Sequence, residues 1–228
     1  MLIVGLVAKA LLRTISDLLT SVNSQPSTVN RQQSPMSEKQ KQEPETPVLT
    51  RNQVLIAMGV TAIILWIVAK VWMQLGSFAI LPWEWDEREF FQGIGLGFVI
   101  TGLSGVAYRV WDSYRQSADY YLEIVLKPLA FPDLIWLGLL PGLSEELLFR
   151  GVMLSAFGAS HPAVFVSSIC FGVLHLSSPQ QWPYVIWATV VGVILGYSAV
   201  ISGNLLVPIV AHITTNLASS YFWKIRRP

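Results

Sequence analysis

Residues 134–157 read LIWLGLLPGLSEELLFRGVMLSAF, and this stretch decides the fold. It is an apolar run interrupted by Glu145, Glu146 and Arg150, which are the only charged side chains between Leu134 and Trp223. A carboxylate at the middle of a bilayer costs about 2.5–3.5 kcal/mol on insertion scales. Two adjacent carboxylates inside such a run therefore point to function rather than decoration. His175 and His212 lie in the apolar runs that follow. Two acids, a guanidinium and two imidazoles placed in hydrocarbon are the materials of an intramembrane site.

Working outward, the 228-residue chain is 53% hydrophobic and 13% charged, with a mean hydropathy of +0.52. Soluble domains average about 25% charged residues. The chain is therefore read as a polytopic membrane protein with one membrane domain and a tail. A net charge of +1 gives no reason to expect nucleic acid as a partner. The single cysteine, Cys170, excludes an intrachain disulfide and a cysteine-based zinc site. It lies in an apolar run and reads as a packing residue.

Three regions are expected: residues 1–21 as an amphipathic N-terminal helix or leader, 22–50 as a disordered linker, and 51–228 as the membrane domain. In the first, Val4, Val7, Leu11, Ile15 and Leu18 recur at helical spacing opposite Lys9, Arg13 and Asp17. That pattern suits a helix lying in the membrane interface, or a poorly ordered leader. The second is rich in Ser, Gln, Pro, Glu and Lys, with almost no large apolar side chains. Spans are expected at 54–72, 91–106, 134–157, 163–176, 184–201 and 205–223, with a polar interfacial segment at 112–127. The predicted fold is thus all-α: a polytopic membrane helix bundle of about six transmembrane helices, with a four-helix catalytic core over about 130–223. The span at 163–176 is short for about 30 Å of hydrocarbon and calls for local thinning of the bilayer. With the N-terminus in the cytoplasm, six spans put 12 of the 15 Lys and Arg residues on that side. Both termini are accordingly expected to be cytoplasmic. A plasma or inner membrane and a thylakoid-type membrane satisfy the pattern equally.

Three sequence elements carry the chemistry. On a helix, Glu146 and Arg150 are four apart and share one face, so they form an ion pair. Glu145 projects about 100° away from that face. A helix-packing salt bridge accounts for Glu146 and Arg150 but not for Glu145, which becomes the candidate general base. The second element is Phe171-Gly-Val-Leu-His175, in which Gly172 permits close helix approach. The third is His212-Ile-Thr-Thr-Asn216, again four apart and on one face. The Asn216 amide is suited to holding an oxyanion. Pro208, four residues before His212, is expected to remove a helix hydrogen bond and open the backbone near the site. His161, followed by Pro162, reads as an exposed interfacial residue. Gly192 and Gly196 form a Gly-xxx-Gly pattern for close helix packing.

Together these elements resemble the CPBP family of intramembrane proteases, also called the CAAX protease and bacteriocin-processing, or Abi, family. Its pattern is Glu-Glu-xxx-Arg, then Phe-xxx-His, then His-xxx-Asn or Asp on successive helices, matched here over about residues 130–223. The resemblance implies an endopeptidase cutting within or near the membrane, on membrane-associated proteins or peptides. Carried over residue by residue, it implies that Glu145 polarises the attacking water with His175 assisting. His212 and Asn216 would bind the oxyanion or position the water, and Arg150 would hold Glu146. Two mechanisms are open at this point. Either Glu145, His175 and His212 ligate Zn²⁺ in a His₂Glu shell, or Glu145 and His175 activate water without a metal. Nothing in the sequence reads a prenyl group. A catalytically silent membrane scaffold or immunity or assembly factor is the alternative reading, and a proton-relay transporter a third.

Overall fold

The computed structural model describes residues 49–227. The expected N-terminal leader, and the linker up to residue 48, lie outside the described residues. Helix α1 (Arg51–Leu75) opens with a capping box: Gln53 N–H donates to Thr50 Oγ1 and Thr50 N–H donates to Gln53 Oε1. Helix α2 (Glu87–Val110) is capped by Asp86, which accepts from Glu89 N–H at 2.8 Å. Glu87 and Glu89 occupy its first turn and Arg109 its last, as the helix dipole favours. Helix α3 (Asp112–Leu126) follows after Trp111. Helix α4 (Leu134–Glu146) passes directly into a π-helical stretch, Leu147–Met153, and a last α-turn, Leu154–Ala156. Helix α5 (His161–Val173), α6 (Trp182–Ser202) and α7 (Leu206–Arg226) complete the bundle. Among the described residues there is no strand.

This is the expected polytopic helical membrane bundle, in which three or four of the described helical segments qualify as spans by length and apolarity, against the six expected. Among the described residues, three helices are long and apolar enough to cross a membrane: α1, α2 and the segment Pro179–Ser202. A fourth arises if α3 and the run Phe131–Ala156, bent by 108°, count as one broken span. The expected span at 163–176 is the 13-residue α5, which at about 1.5 Å per residue reaches only about 20 Å. The last expected span, α7, carries His212, Thr214, Thr215 and Asn216 through its middle. It is shielded rather than bathed in lipid, since every residue from Asn204 to His212 is buried. The lipid face lies elsewhere: Ile56, Ile63, Trp66, Phe91, Phe98 and Val106 on α1 and α2 are all exposed. The polar side chains turn inward instead.

Charged groups tie the helix ends together. Arg51, at the start of α1, holds Asp133 through two contacts of 2.7 and 2.6 Å, and Asp133 also caps Ala130 N–H. Arg227, at the end of α7, donates to Asp119 of α3, which also accepts from Tyr108 of α2. At the other end Asn204 donates to Glu89 Oε2 at 2.6 Å and to the Glu84 carbonyl. This fixes the α6–α7 turn against the start of α2.

Candidate active site

Four helices supply the buried polar cluster. Glu146 ends α4, and Arg150 follows within the π-helical stretch. A π-turn, closed by i→i+5 hydrogen bonds, is rare and is enriched at functional sites. Both side chains are fully buried, and Arg150 Nη1 donates to Glu146 Oε1 at 2.8 Å. The guanidinium is satisfied in two further directions. Its Nη2 donates to the Gly192 carbonyl of α6 at 2.9 Å, and it lies 4.6 Å from the Phe171 ring centroid. The close passage of α6 makes this possible: a Cβ at Gly192 would meet Ser168 at 3.1 Å and Phe171 at 3.2 Å. Gly172 and Gly196 serve the same α5–α6 contact.

His212 of α7 completes the cluster. Its Nδ1 lies 2.7 Å from the same Glu146 oxygen that Arg150 holds. An ionised carboxylate only accepts, so Nδ1 carries a proton and Nε2 is the nitrogen turned toward Glu145. That Nε2 lies 4.0 Å from Glu145 Oε2, beyond direct hydrogen-bond range. His175, just past the end of α5, is held in the same way: its Nδ1 lies 2.8 Å from the Phe171 carbonyl, again an acceptor. The loop that carries it is pinned by Tyr121, whose hydroxyl donates to the His175 carbonyl and accepts from Ser177 N–H. The Phe171 ring packs near both imidazoles, 4.7 Å from His175 and 5.9 Å from His212 between centroids.

Glu145 is 4% exposed, with His175, His212 and Arg150 all within electrostatic reach. It lines a cavity of about 10 Å³ together with Thr61 of α1, Val125 of α3, and Leu137, Pro141 and Ser144 of α4. That volume admits about one water. Asn216 lies one turn beyond His212 on α7. Its amide nitrogen donates to the Leu137 carbonyl at 3.4 Å, which commits one of its two N–H groups to α4.

The donor atoms of Glu145, His175 and His212 are of the right chemical kind for zinc. As placed, however, they do not form a metal shell: among the described residues no group of three or more His, Cys, Asp or Glu side chains is gathered closely enough to hold an ion. Pro208 also departs from expectation. It falls in the first turn of α7, where the N–H it lacks has no partner within the helix, so it opens nothing near the site. Pro141, inside α4, is the proline that does remove a helix hydrogen bond. His161 is exposed at the start of α5, with Nδ1 3.1 Å from the Tyr197 hydroxyl.

A helical membrane protein with a buried acid–histidine cluster is the class that this fold and site define. Residues 127–218 match the family described as "Type II CAAX prenyl endopeptidase Rce1-like". The resemblance to the CPBP family that the three motifs carry is therefore found over the segment that holds the cluster. A 132-residue stretch is 28% identical to the uncharacterized protein YpbD of Bacillus subtilis (strain 168), covering 56% of this chain and 67% of that protein. No solved structure matches the chain.

Proposed function

We propose that the protein is an intramembrane endopeptidase that hydrolyses peptide bonds of membrane-associated proteins or peptides. The observation that carries this reading is the orientation of the two imidazoles. Each Nδ1 is anchored, to Glu146 or to the Phe171 carbonyl, which leaves each Nε2 available, and both rings lie within electrostatic reach of Glu145. In this reading Glu145 polarises a water in its adjoining cavity and takes one of its protons as the water oxygen attacks the peptide carbonyl carbon. The proton passes to the leaving amine as the C–N bond breaks. His175 assists Glu145. His212 stabilises the developing charge, and it gains from Glu146 what an imidazolium gains from a buried carboxylate.

The clustering of the basic helix ends supports an orientation. Arg51, Arg109, Lys127 and Arg227 belong to the end that the Arg51–Asp133 and Arg227–Asp119 pairs hold together. We assign that end, and both chain termini, to the cytoplasm. The test of function is cleavage of a membrane-tethered peptide by the purified protein. Glu145→Ala is expected to abolish cleavage with expression intact, and unchanged cleavage removes the reading.

A further inference from the structure

We infer that Tyr121 of α3 is a positioning residue for His175, its one hydroxyl clamping the turn that carries the imidazole. His175 stands just past the end of α5, which stops at Val173. The last carbonyls of an α-helix have no donor within it. His175 N–H still reaches the Gly172 carbonyl and Leu176 N–H the Val173 carbonyl. Beyond these, the backbone turns to Tyr121, whose hydroxyl donates to the His175 carbonyl and accepts from Ser177 N–H at 2.9 Å. Tyr121 is 5% exposed and His175 8%. Backbone groups buried in this way are costly to leave unpaired.

The tyrosine ring reaches the same histidine by a second route. Its centroid lies 4.5 Å from that of Tyr184 on α6, and the Tyr184 ring lies 6.1 Å from the His175 imidazole. The helix that carries the clamp is itself held. Asp119, two residues before Tyr121, accepts from Tyr108 of α2 and from Arg227 at the end of α7. The contact of Nδ1 with the Phe171 carbonyl fixes how the imidazole is turned; the clamp fixes where its backbone stands. Both are needed to aim Nε2. Tyr121 precedes the segment 127–218 that matches the family, so this part of the site is supplied by the preceding helix. A tyrosine that merely filled space would need its ring and not its hydroxyl, and that difference is measurable.

The experiment is Tyr121→Phe in the full chain, which keeps the ring and deletes both hydrogen bonds, with Tyr120→Phe as the control. Hydrogen–deuterium exchange in detergent tests the clamp without reference to activity. Residues 174–178 are expected to exchange about tenfold faster in Tyr121→Phe, as the loss of about one hydrogen bond implies, with the rest of the bundle and the control unchanged. An unchanged rate there, or a rise spread over the whole bundle, overturns the clamp. The chain has three histidines, so the ring NMR signals of isotope-labelled histidine are assignable by substitution. The His175 signal is expected to move in Tyr121→Phe while that of His161 stays, and an unmoved His175 signal overturns the positioning role. The kinetic part rests on the proposed hydrolysis. Tyr121→Phe is expected to lower kcat about tenfold or more, as for other residues that orient a working histidine, with KM within about twofold. An unaltered kcat, or a loss confined to KM, overturns the positioning role. Absence of cleavage by the unsubstituted protein sinks the hydrolase reading, while exchange and NMR still decide the clamp.

Discussion

His212 Nδ1 and Arg150 Nη1 converge on one oxygen of Glu146, at 2.7 and 2.8 Å. A single carboxylate thereby joins α4 to α7 and, through the second arm of Arg150 on the Gly192 carbonyl, to α6. Glu146 is the anchor of the cluster, and Glu145 beside it faces the cavity. The two acids of the pair have different partners and, in our reading, different tasks.

Removing the anchor is expected to have a compound effect. Glu146→Ala leaves the Arg150 guanidinium buried without its carboxylate, a class of change that costs about 3–5 kcal/mol. A large fall in apparent Tm in detergent is the expected result. Glu146→Gln keeps the shape and isolates the effect on His212. Cleavage is expected to fall by about 10–100-fold, as for other residues that orient a working histidine.

Arg150→Lys is not a conservative change here. A lysine offers one compact charge, whereas Arg150 reaches Glu146 with one nitrogen and Gly192 with another while stacking on Phe171. Thermal unfolding of Arg150→Lys is expected to lie closer to that of Arg150→Met than to that of the unsubstituted protein.

The α4–α7 contact predicts a graded response to added methyl groups. At Gly142 a Cβ would press on Ile213 at 2.5 Å, so Gly142→Ala is expected to destabilise by about 1–3 kcal/mol. At Gly102 a Cβ meets nothing within 4 Å, and Gly102→Ala is expected to be near neutral. Paired detergent melts check both, and equal shifts would contradict the packing described.

Chelation separates the two mechanisms left open by the sequence. With no three-ligand shell among the described residues, we predict that cleavage survives EDTA and 1,10-phenanthroline. We also predict that the purified, active protein carries well under one zinc per chain by elemental analysis. Loss of activity on chelation, with recovery on adding Zn²⁺, contradicts the metal-free account.

What was legible in the sequence was local. The four-residue spacing of Glu146 and Arg150 set them on one face, and the pair forms as that spacing implies. The two histidines stood out because imidazoles are costly in apolar runs. The bond between Glu146 and His212 was not legible, because 66 residues separate them. Helical periodicity says which side chains share a face, not which neighbouring helix that face meets. The π-helical stretch was hidden for a related reason, since its apolar residues fit an α-helix equally well. Prolines misled in a more specific way. Pro208 drew notice by its nearness to His212, yet its effect vanishes because α7 begins at Leu206. Pro141, within the quoted run itself, marks the carbonyl that Asn216 meets, and Leu-Pro-Gly inside a charged-cluster helix was the available signal. The packing of α7 was not legible either, because hydropathy does not say which helices will cover a span, and Asn204 to His212 are all buried.

The central claim is that Glu145 activates water for attack on a peptide bond. Its most direct measurement is cleavage of a membrane-tethered peptide in H₂¹⁸O, followed by mass spectrometry of the new C-terminal carboxylate. The account predicts one ¹⁸O atom in the product of the unsubstituted protein and no product above background from Glu145→Gln. Labelled product formed at equal rate by Glu145→Gln would contradict it.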